Sequence, residues 1–478
     1  MKLLNKYKSM SEPVKASLWY MICNFLQKGI SFIVVPIYTR LLTTAEYGNY
    51  AVFQSWRDIL IIFATLNLYA GVFTKAMVDY PDDRDRYTSV MQGLSTLITV
   101  IILGVYVIFR RPLDNLFEMS TPIMIGLFLY FIFYPAFSFW SVRQRCEYKY
   151  KAMVAVTLIV SFATPVVSLF LLFKTNLREN AVILGFLIVQ IIAGAFFYIR
   201  AFIKCPHFYD KAYWKHGIDY NVPLIPHYLS LIVLNQSDRI MIKNICGSGD
   251  AGLYSLASQV SMIMTTIASA INGSYVPWSY ECLRDKHYKE LDNVTKTLIL
   301  AFGLMTVGVI AVAPEVVLIL GSRKYLPAIW VIPPIAIGVF YTCCYNSFAS
   351  IEFYFSKTKY VMVASVVGAV LNIILNAIFI PTFGFVAAGY TTAVSYLVLA
   401  LVHGLFAVRI CKQEKLGTAV YDYKVIFLIG ILFTVIAGLM TATYSFTIVR
   451  YGIIAVLIIA LFINRQKVSS LLNKLKKK

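Results

Sequence analysis

Apolar residues run through this chain in long, nearly uninterrupted stretches, and polar residues gather in short pieces between them. The stretches lie at about 16–39, 48–73, 88–109, 122–142, 152–173, 181–203, 221–243, 251–279, 297–320, 327–355, 360–380, 385–410, 424–443 and 446–463. Each is close to the roughly 20 residues that a helix needs to cross the hydrocarbon core of a bilayer. The pattern predicts an all-α integral membrane protein of about fourteen transmembrane helices, the last two separated at Tyr444 and Ser445. Loops are short, the longest of roughly 15–20 residues, which leaves no room for a soluble catalytic or nucleotide-binding domain. Function is expected among the helices.

Composition sharpens this picture. With 59% hydrophobic and 14% charged residues the chain is far more apolar than a soluble protein, at about 45–50%. A net charge of +20 would point to nucleic acid in a soluble protein, but here it is a statement about topology. With the N-terminus cytoplasmic, 31 of the 43 Lys and Arg fall on the inner side, eight on the outer side and four within the runs. The positive-inside rule therefore places both termini in the cytoplasm, and no nucleic-acid partner is expected. The first run is longer than a signal-peptide core and no small-residue cleavage site follows it, so it reads as a retained helix. Of eight cysteines only Cys246 faces outward, which excludes a disulfide framework.

Three further patterns are set aside. Gly247, Gly249 and Gly252 spell GxGxxG, but they join two apolar runs instead of following a strand. Asp83-Arg84-Asp85 belongs to a solvated charge run. No Walker A sequence or close histidine pair occurs, so neither a cofactor nor a metal is expected, and the chain does not read as an enzyme. In the C-terminal tail, Val468, Leu471, Leu472 and Leu475 share a helical face among lysines, a pattern suited to an anionic leaflet.

The chain also repeats itself. Glu46-Tyr47-Gly48-Asn49-Tyr50 and Asp250-Ala251-Gly252-Leu253-Tyr254 share the pattern acid-x-Gly-x-Tyr, 204 residues apart between positions 46 and 250. Tyr150 to Ala155 and Lys359 to Ala364 align at 209 residues, between Met153 and Met362. Both offsets contain six runs, an even number, so the copies cross the membrane in the same direction. Two parallel six-helix lobes, 1–203 and 204–411, are expected around a central cavity, with two further helices and a basic tail in 412–478.

Tyr38-Thr39-Arg40-Leu41-Leu42 with Glu46-Tyr47-Gly48, Gln144-Arg145 with Tyr148-Lys149-Tyr150, Ser237 to Ile242 with Gly252-Leu253-Tyr254, and Pro381 to Gly384 with Ala387-Ala388-Gly389 together resemble the Wzx-type oligosaccharide flippases. These belong to the superfamily of lipid II flippases and MATE drug exporters, and the resemblance spans about 14–410. It implies translocation of an undecaprenyl-pyrophosphate-linked repeat unit to the outer leaflet of the bacterial cytoplasmic membrane, for capsule or O-antigen. Glycosyltransferases and a polysaccharide polymerase are the partners this implies. A MATE-like cation-coupled exporter of small molecules is the alternative from the same ancestry, and it should carry acids rather than bases at mid-depth.

With Arg200, Lys243, Arg409 and Lys424, at the ends of their runs, counted with the flanking segments, Lys28, Arg57, Arg239 and Arg450 are the four basic residues inside the runs. Each costs at least about 2.5–3.5 kcal/mol if it faces lipid at the bilayer centre, so each needs a partner or a wet cavity. Arg450 starts the last run and can snorkel. Lys28 and Arg57 reach mid-depth, and with Arg239 they are the candidate cationic lining for a pyrophosphate, which Arg grips bidentately and Lys holds as a point charge. Asn24, Gln27, Ser31, Gln54, Asn235, Gln259, Asn372 and Asn376 supply polar lining. Asp58 and Asp238 can neutralise Arg57 and Arg239, or can take up H+ or Na+ as coupling ions. With no ATP motif, the drive must come from an ion gradient or the membrane potential.

Overall fold

A computed structural model describes residues 11–416 and 420–463 and, among them, is helical with no strand. The tail residues Val468, Leu471, Leu472 and Leu475 lie outside the described residues. In chain order the helices are α1 (Glu12–Leu41), α2 (Thr44–Thr65), α3 (Val72–Asp79), α4 (Arg84–Ile108), α5 (Arg110–Phe117), α6 (Thr121–Cys146), α7 (Tyr150–Lys174), α8 (Glu179–Lys204) and α9 (Lys211–Asn221). They continue with α10 (Ile225–Cys246), α11 (Ser248–Arg284), α12 (Tyr288–Ala311), α13 (Ala313–Gly321), α14 (Ile332–Tyr354), α15 (Thr358–Phe383), α16 (Phe385–Gln413), α17 (Tyr423–Ala442) and α18 (Thr447–Ile463).

Every apolar run falls on a helix or on a broken pair. Nine of the described helices are long and apolar enough to cross a membrane, and ten if Arg323–Trp330 and α14, bent by 50°, form one span. The expected count of fourteen is reached only by adding α2, α10, α11 and the short α18. The first three fall short because they carry Gln54, Arg57 and Asp58, the stretch Asn235 to Arg239, and the Ser- and Thr-rich face of α11.

One predicted span is shorter than its run. The apolar stretch 48–73 continues to Phe73, yet α2 stops at Thr65 because Leu66 and Asn67 turn left-handed, at φ 47° and 51°. Buried Asn221, from the end of α9, fixes this break: its Nδ2 donates to the carbonyls of Leu66 (3.0 Å) and Asn67 (2.9 Å), and its Oδ1 accepts from the Val72 amide (3.3 Å). A short run of open backbone inside the bundle is tolerated because a side chain satisfies it.

The start of α2 is equally explicit. Thr43 and Glu46 form a capping box, the Glu46 amide donating to Thr43 Oγ1 (3.2 Å) and the Thr43 amide to Glu46 Oε2 (2.7 Å). Arg178 closes on the same carboxylate through Nε (2.7 Å) and Nη2 (3.0 Å), tying the α7–α8 loop to this cap.

The chain divides into two compact units, residues 1–255 with 365–388, and 256–364 with 389–478. In the first, α6 and α7 pack on α8, α1 on α7, and α10 on α2. The core around Phe53, Phe128, Phe131 and Leu187 is apolar and aromatic. The repeated acid-x-Gly-x-Tyr motifs meet here: a Cβ at Gly48 would fall on the carbonyl oxygen of Ser248, and one at Gly252 on that of Thr44. Backbones this close accept only glycine, the small-residue packing expected between membrane helices. In the second unit α12 packs on α14 and α17 around Phe302, Phe340 and Phe433.

Candidate functional site

The polar residues of α2 and α10 converge within the first unit. Arg57, with 16% of its side chain exposed, donates from Nε (2.8 Å) and Nη2 (2.6 Å) to Asp58 Oδ1. Its guanidinium also lies over the Phe186 ring, 4.8 Å from the centroid, a favourable placement for a partly desolvated cation. Asp58 Oδ2 accepts from Gln236 Nε2 (3.1 Å), and Gln236 Oε1 in turn accepts from Ser55 Oγ (3.1 Å) and from Arg239 Nη1. Gln236 is thus the joint between the acid–base pair of α2 and the cation of α10. Arg239 Nε is buried with no hydrogen-bond partner among the described residues.

Arg57 and Asp58 stand on the wall of a cavity of about 320 Å³, whose other lining residues are Ile61, Tyr69, Tyr130, Tyr134, Phe186, Gln190 and Ile232. A guanidinium, a carboxylate, an amide and three phenols in an aromatic wall can bind an anionic group and hydroxyl-bearing rings.

Asp238 forms a second centre in the same unit and is only 2% exposed. It accepts from the Tyr254 hydroxyl and from Asn376 Nδ2 (2.6 Å). Asn376 Nδ2 also reaches Asn372 Oδ1 (3.2 Å), which accepts from Ser237 Oγ (3.3 Å). Asp238 and Arg239, adjacent in sequence, therefore turn to different partners: the acid to α11 and α15, the base to Gln236.

The remaining expected residues are placed elsewhere. Lys28, Asn24 and Ser31 are exposed on α1, and Lys28 is not among the lining of the Arg57 cavity. Gln27 is spoken for by α7, its Nε2 donating to Ser161 Oγ (3.0 Å), and Ser31 bonds back to the Gln27 carbonyl (3.1 Å). Gln54 donates to the Tyr50 hydroxyl (2.9 Å), Asn235 is exposed and donates to the Leu231 carbonyl (2.7 Å), and half-buried Gln259 belongs to the second unit. Sequence reasoning missed Gln236, although Asn235 to Arg239 are five consecutive polar residues inside an apolar run and each warranted inspection. It also missed Phe186 and the tyrosines, which nothing in the spacing separates from packing aromatics.

The family described as "Polysaccharide biosynthesis protein" matches residues 14–282. The chain is 24% identical over 382 residues to Lsg locus putative protein 1 of Haemophilus influenzae, covering 75% of this chain and 89% of that one. Its fold is similar to that of the lipid II flippase MurJ in an inward closed conformation, at TM-score 0.71 and 15% identity, over 94% of this chain and 99% of the other. An inward-facing MATE multidrug transporter of the MOP superfamily is similar at TM-score 0.65 and 12% identity, over 81% and 96%.

Proposed function

Because the chain belongs to the polysaccharide biosynthesis protein family, we propose that it is a flippase for an undecaprenyl-pyrophosphate-linked oligosaccharide, carrying the repeat unit from the inner to the outer leaflet of the bacterial cytoplasmic membrane. The product serves capsule or O-antigen assembly. The observation that carries this reading is the largely buried Arg57 on the wall of a tyrosine-rich cavity inside a helical unit.

An oligosaccharide cannot cross hydrocarbon unaided, since each unpaired hydroxyl costs a few kcal/mol. A polar cavity removes that cost while the lipid tail stays in the bilayer. Arg57 receives the pyrophosphate, and the phenols of Tyr69, Tyr130 and Tyr134 receive the sugar. Asp58 holds the guanidinium in place and keeps the empty site neutral. Lys28 and Arg239 add positive charge along the route, with Asn24, Asn235 and Gln259 as polar lining.

The lobes 1–203 and 204–411 alternate access by rocking, with 412–478 as an accessory segment and both termini cytoplasmic. An inside-negative potential moves each negative charge outward with roughly 2.3 kcal/mol per 100 mV, and H+ or Na+ at Asp58 or Asp238 resets the cycle. No chemical bond changes in this scheme, so the protein acts as a transporter rather than an enzyme. The test is export in cells that depend on this chain. Arg57→Ala and Lys28→Ala, inserted at wild-type levels, are expected to lower surface polymer at least about tenfold, the effect of a lost charge-assisted contact. Undiminished polymer would retire the cationic-cavity reading.

A further inference from the structure

The second compact unit holds an ionisable pair that the flippase reading leaves unused. Glu352, near the end of α14, is 0% exposed, and His403, on α16, is 1% exposed. His403 Nδ1 lies 2.8 Å from Glu352 Oε1. Glu352 Oε2 is buried with no hydrogen-bond partner among the described residues. The surroundings are aromatic. Tyr345 stacks on the imidazole with centroids 5.3 Å apart, and Tyr396 stacks on Tyr345. Gly404 brings α16 against Phe348 and Tyr423.

We propose that Glu352 and His403 together form a proton-binding site. The charge arithmetic supports it. With carboxylate and neutral imidazole the pair carries one negative charge, and with one added proton it is neutral, whichever atom holds that proton. A lone charge in an apolar wall is strongly disfavoured, whereas a hydrogen-bonded neutral pair is tolerated. One proton therefore decides whether this buried pair is neutral or carries a lone charge, which is the behaviour of a titrating site rather than of a packing contact.

Among the described residues, Glu352 and His403 form an ion pair with each other and with no other charged group. The ionisable groups facing the pair are Tyr345 and Tyr396, then Tyr423 from α17, which is within electrostatic reach of Glu352 and whose own hydroxyl is buried without a partner among the described residues; Cys411 lies beyond it. Among the charged groups at this unit's helix ends, Lys357 pairs with Glu414, Lys296 with Asp292 and Asp422, and the Arg409 guanidinium lies over the Tyr360 ring. The Glu352 carbonyl accepts the amide of Lys357 (2.8 Å), just past the end of α14. That this proton drives the transport cycle rests on the flippase reading; that the pair binds it does not.

The test is an infrared pH-difference titration of the purified full chain in lipid nanodiscs, between about pH 4 and 9, which needs no transport substrate. The wild type should show a buried carboxylic-acid band that appears and disappears with pH. The band should be lost in Glu352→Gln and shifted in frequency and midpoint in His403→Gln. The double variant Glu352→Gln/His403→Gln keeps a neutral hydrogen-bonded pair and should fold and show no titration, so a folding failure of one single variant leaves the outcome readable. A wild-type spectrum with no such band, or a band unchanged in Glu352→Gln or in His403→Gln, overturns the site. Polymer export that persists when this chain is deleted, with the titration intact, would instead count against the flippase reading alone.

Discussion

Arg178 and Glu46 show how one contact on the loop side of a membrane helix carries an acid sensitivity. The hydrogen bonds from Arg178 hold the Glu46 carboxyl at about 2, below its ordinary 4.5. Because the folded value lies under the unfolded one, the stabilisation is complete above about 4.5 and is lost as pH falls toward 2. Thermal unfolding midpoints measured across that window should fall with acid in the wild type and fall less steeply in Arg178→Ala. Equal slopes would mean the pair contributes nothing, as many exposed pairs do. Residues of this kind are legible in a sequence only in part. Thr43 with Glu46 reads as a capping box, but Arg178 is 132 positions away and only the fold delivers it. The candidate site divides the same way. Arg57 and Asp58 announce themselves as charges inside an apolar run, whereas Gln236, which links Asp58 to Arg239, is one more amide until α2 and α10 are seen together. Lys28 was expected beside Arg57, and the exposed face of α1 on which it stands could not be inferred from depth along the helix.

Elements show where hydropathy is a sufficient guide and where it is not. It located each of the nine described helices that are long and apolar enough to cross a membrane. It overran the end of α2, because Leu66, Leu68 and Phe73 are apolar whether the backbone is helical or turned, and the residue that stops the helix is the distant Asn221. The close approach at Gly48 and Gly252 gives an element-scale prediction. Gly48→Ala forces α2 away from the first turn of α11, at a cost of about 1–3 kcal/mol, the usual price of overpacking. A thermal midpoint equal to the wild type's would show that the contact yields freely.

The ion pair that fastens α18 is a second case. Arg450, 4% exposed, reaches Glu315 through Nη1 (2.8 Å) and Nη2 (2.5 Å), and Glu315 itself is 35% exposed. Snorkelling was expected of Arg450 on its position in the run, and the partner on α13 is what the sequence did not reveal. Stranding the buried partner should be the more damaging change. Glu315→Ala is expected to cost about 3–5 kcal/mol, and Arg450→Met, which leaves an acid able to reach water, about 1 kcal/mol. Denaturation in mild detergent ranks the two, and the reverse order would refute the assignment.

At the scale of the whole molecule, two divisions of the chain coexist. The sequence repeat predicts a division between 1–203 and 204–411, while compactness gathers α10 and most of α15 with the first nine helices. Repetition records similar local sequence in the same membrane direction, and compactness records which side chains have partners; Asn372 and Asn376, bonded to Ser237 and Asp238, illustrate the second. The fold class was legible because the bilayer restricts the backbone to helices of a fixed length. The proposed cargo depends on a few cavity side chains, Arg57 first among them. The direct measurement is translocation of a fluorescent undecaprenyl-pyrophosphate oligosaccharide in proteoliposomes holding the purified chain, followed by headgroup accessibility under an imposed inside-negative potential. Headgroup transfer well above that of empty vesicles, slowed at least about tenfold by Arg57→Ala, is the predicted result. Transfer no faster than in empty vesicles, or a rate in Arg57→Ala equal to the wild type's, would contradict it.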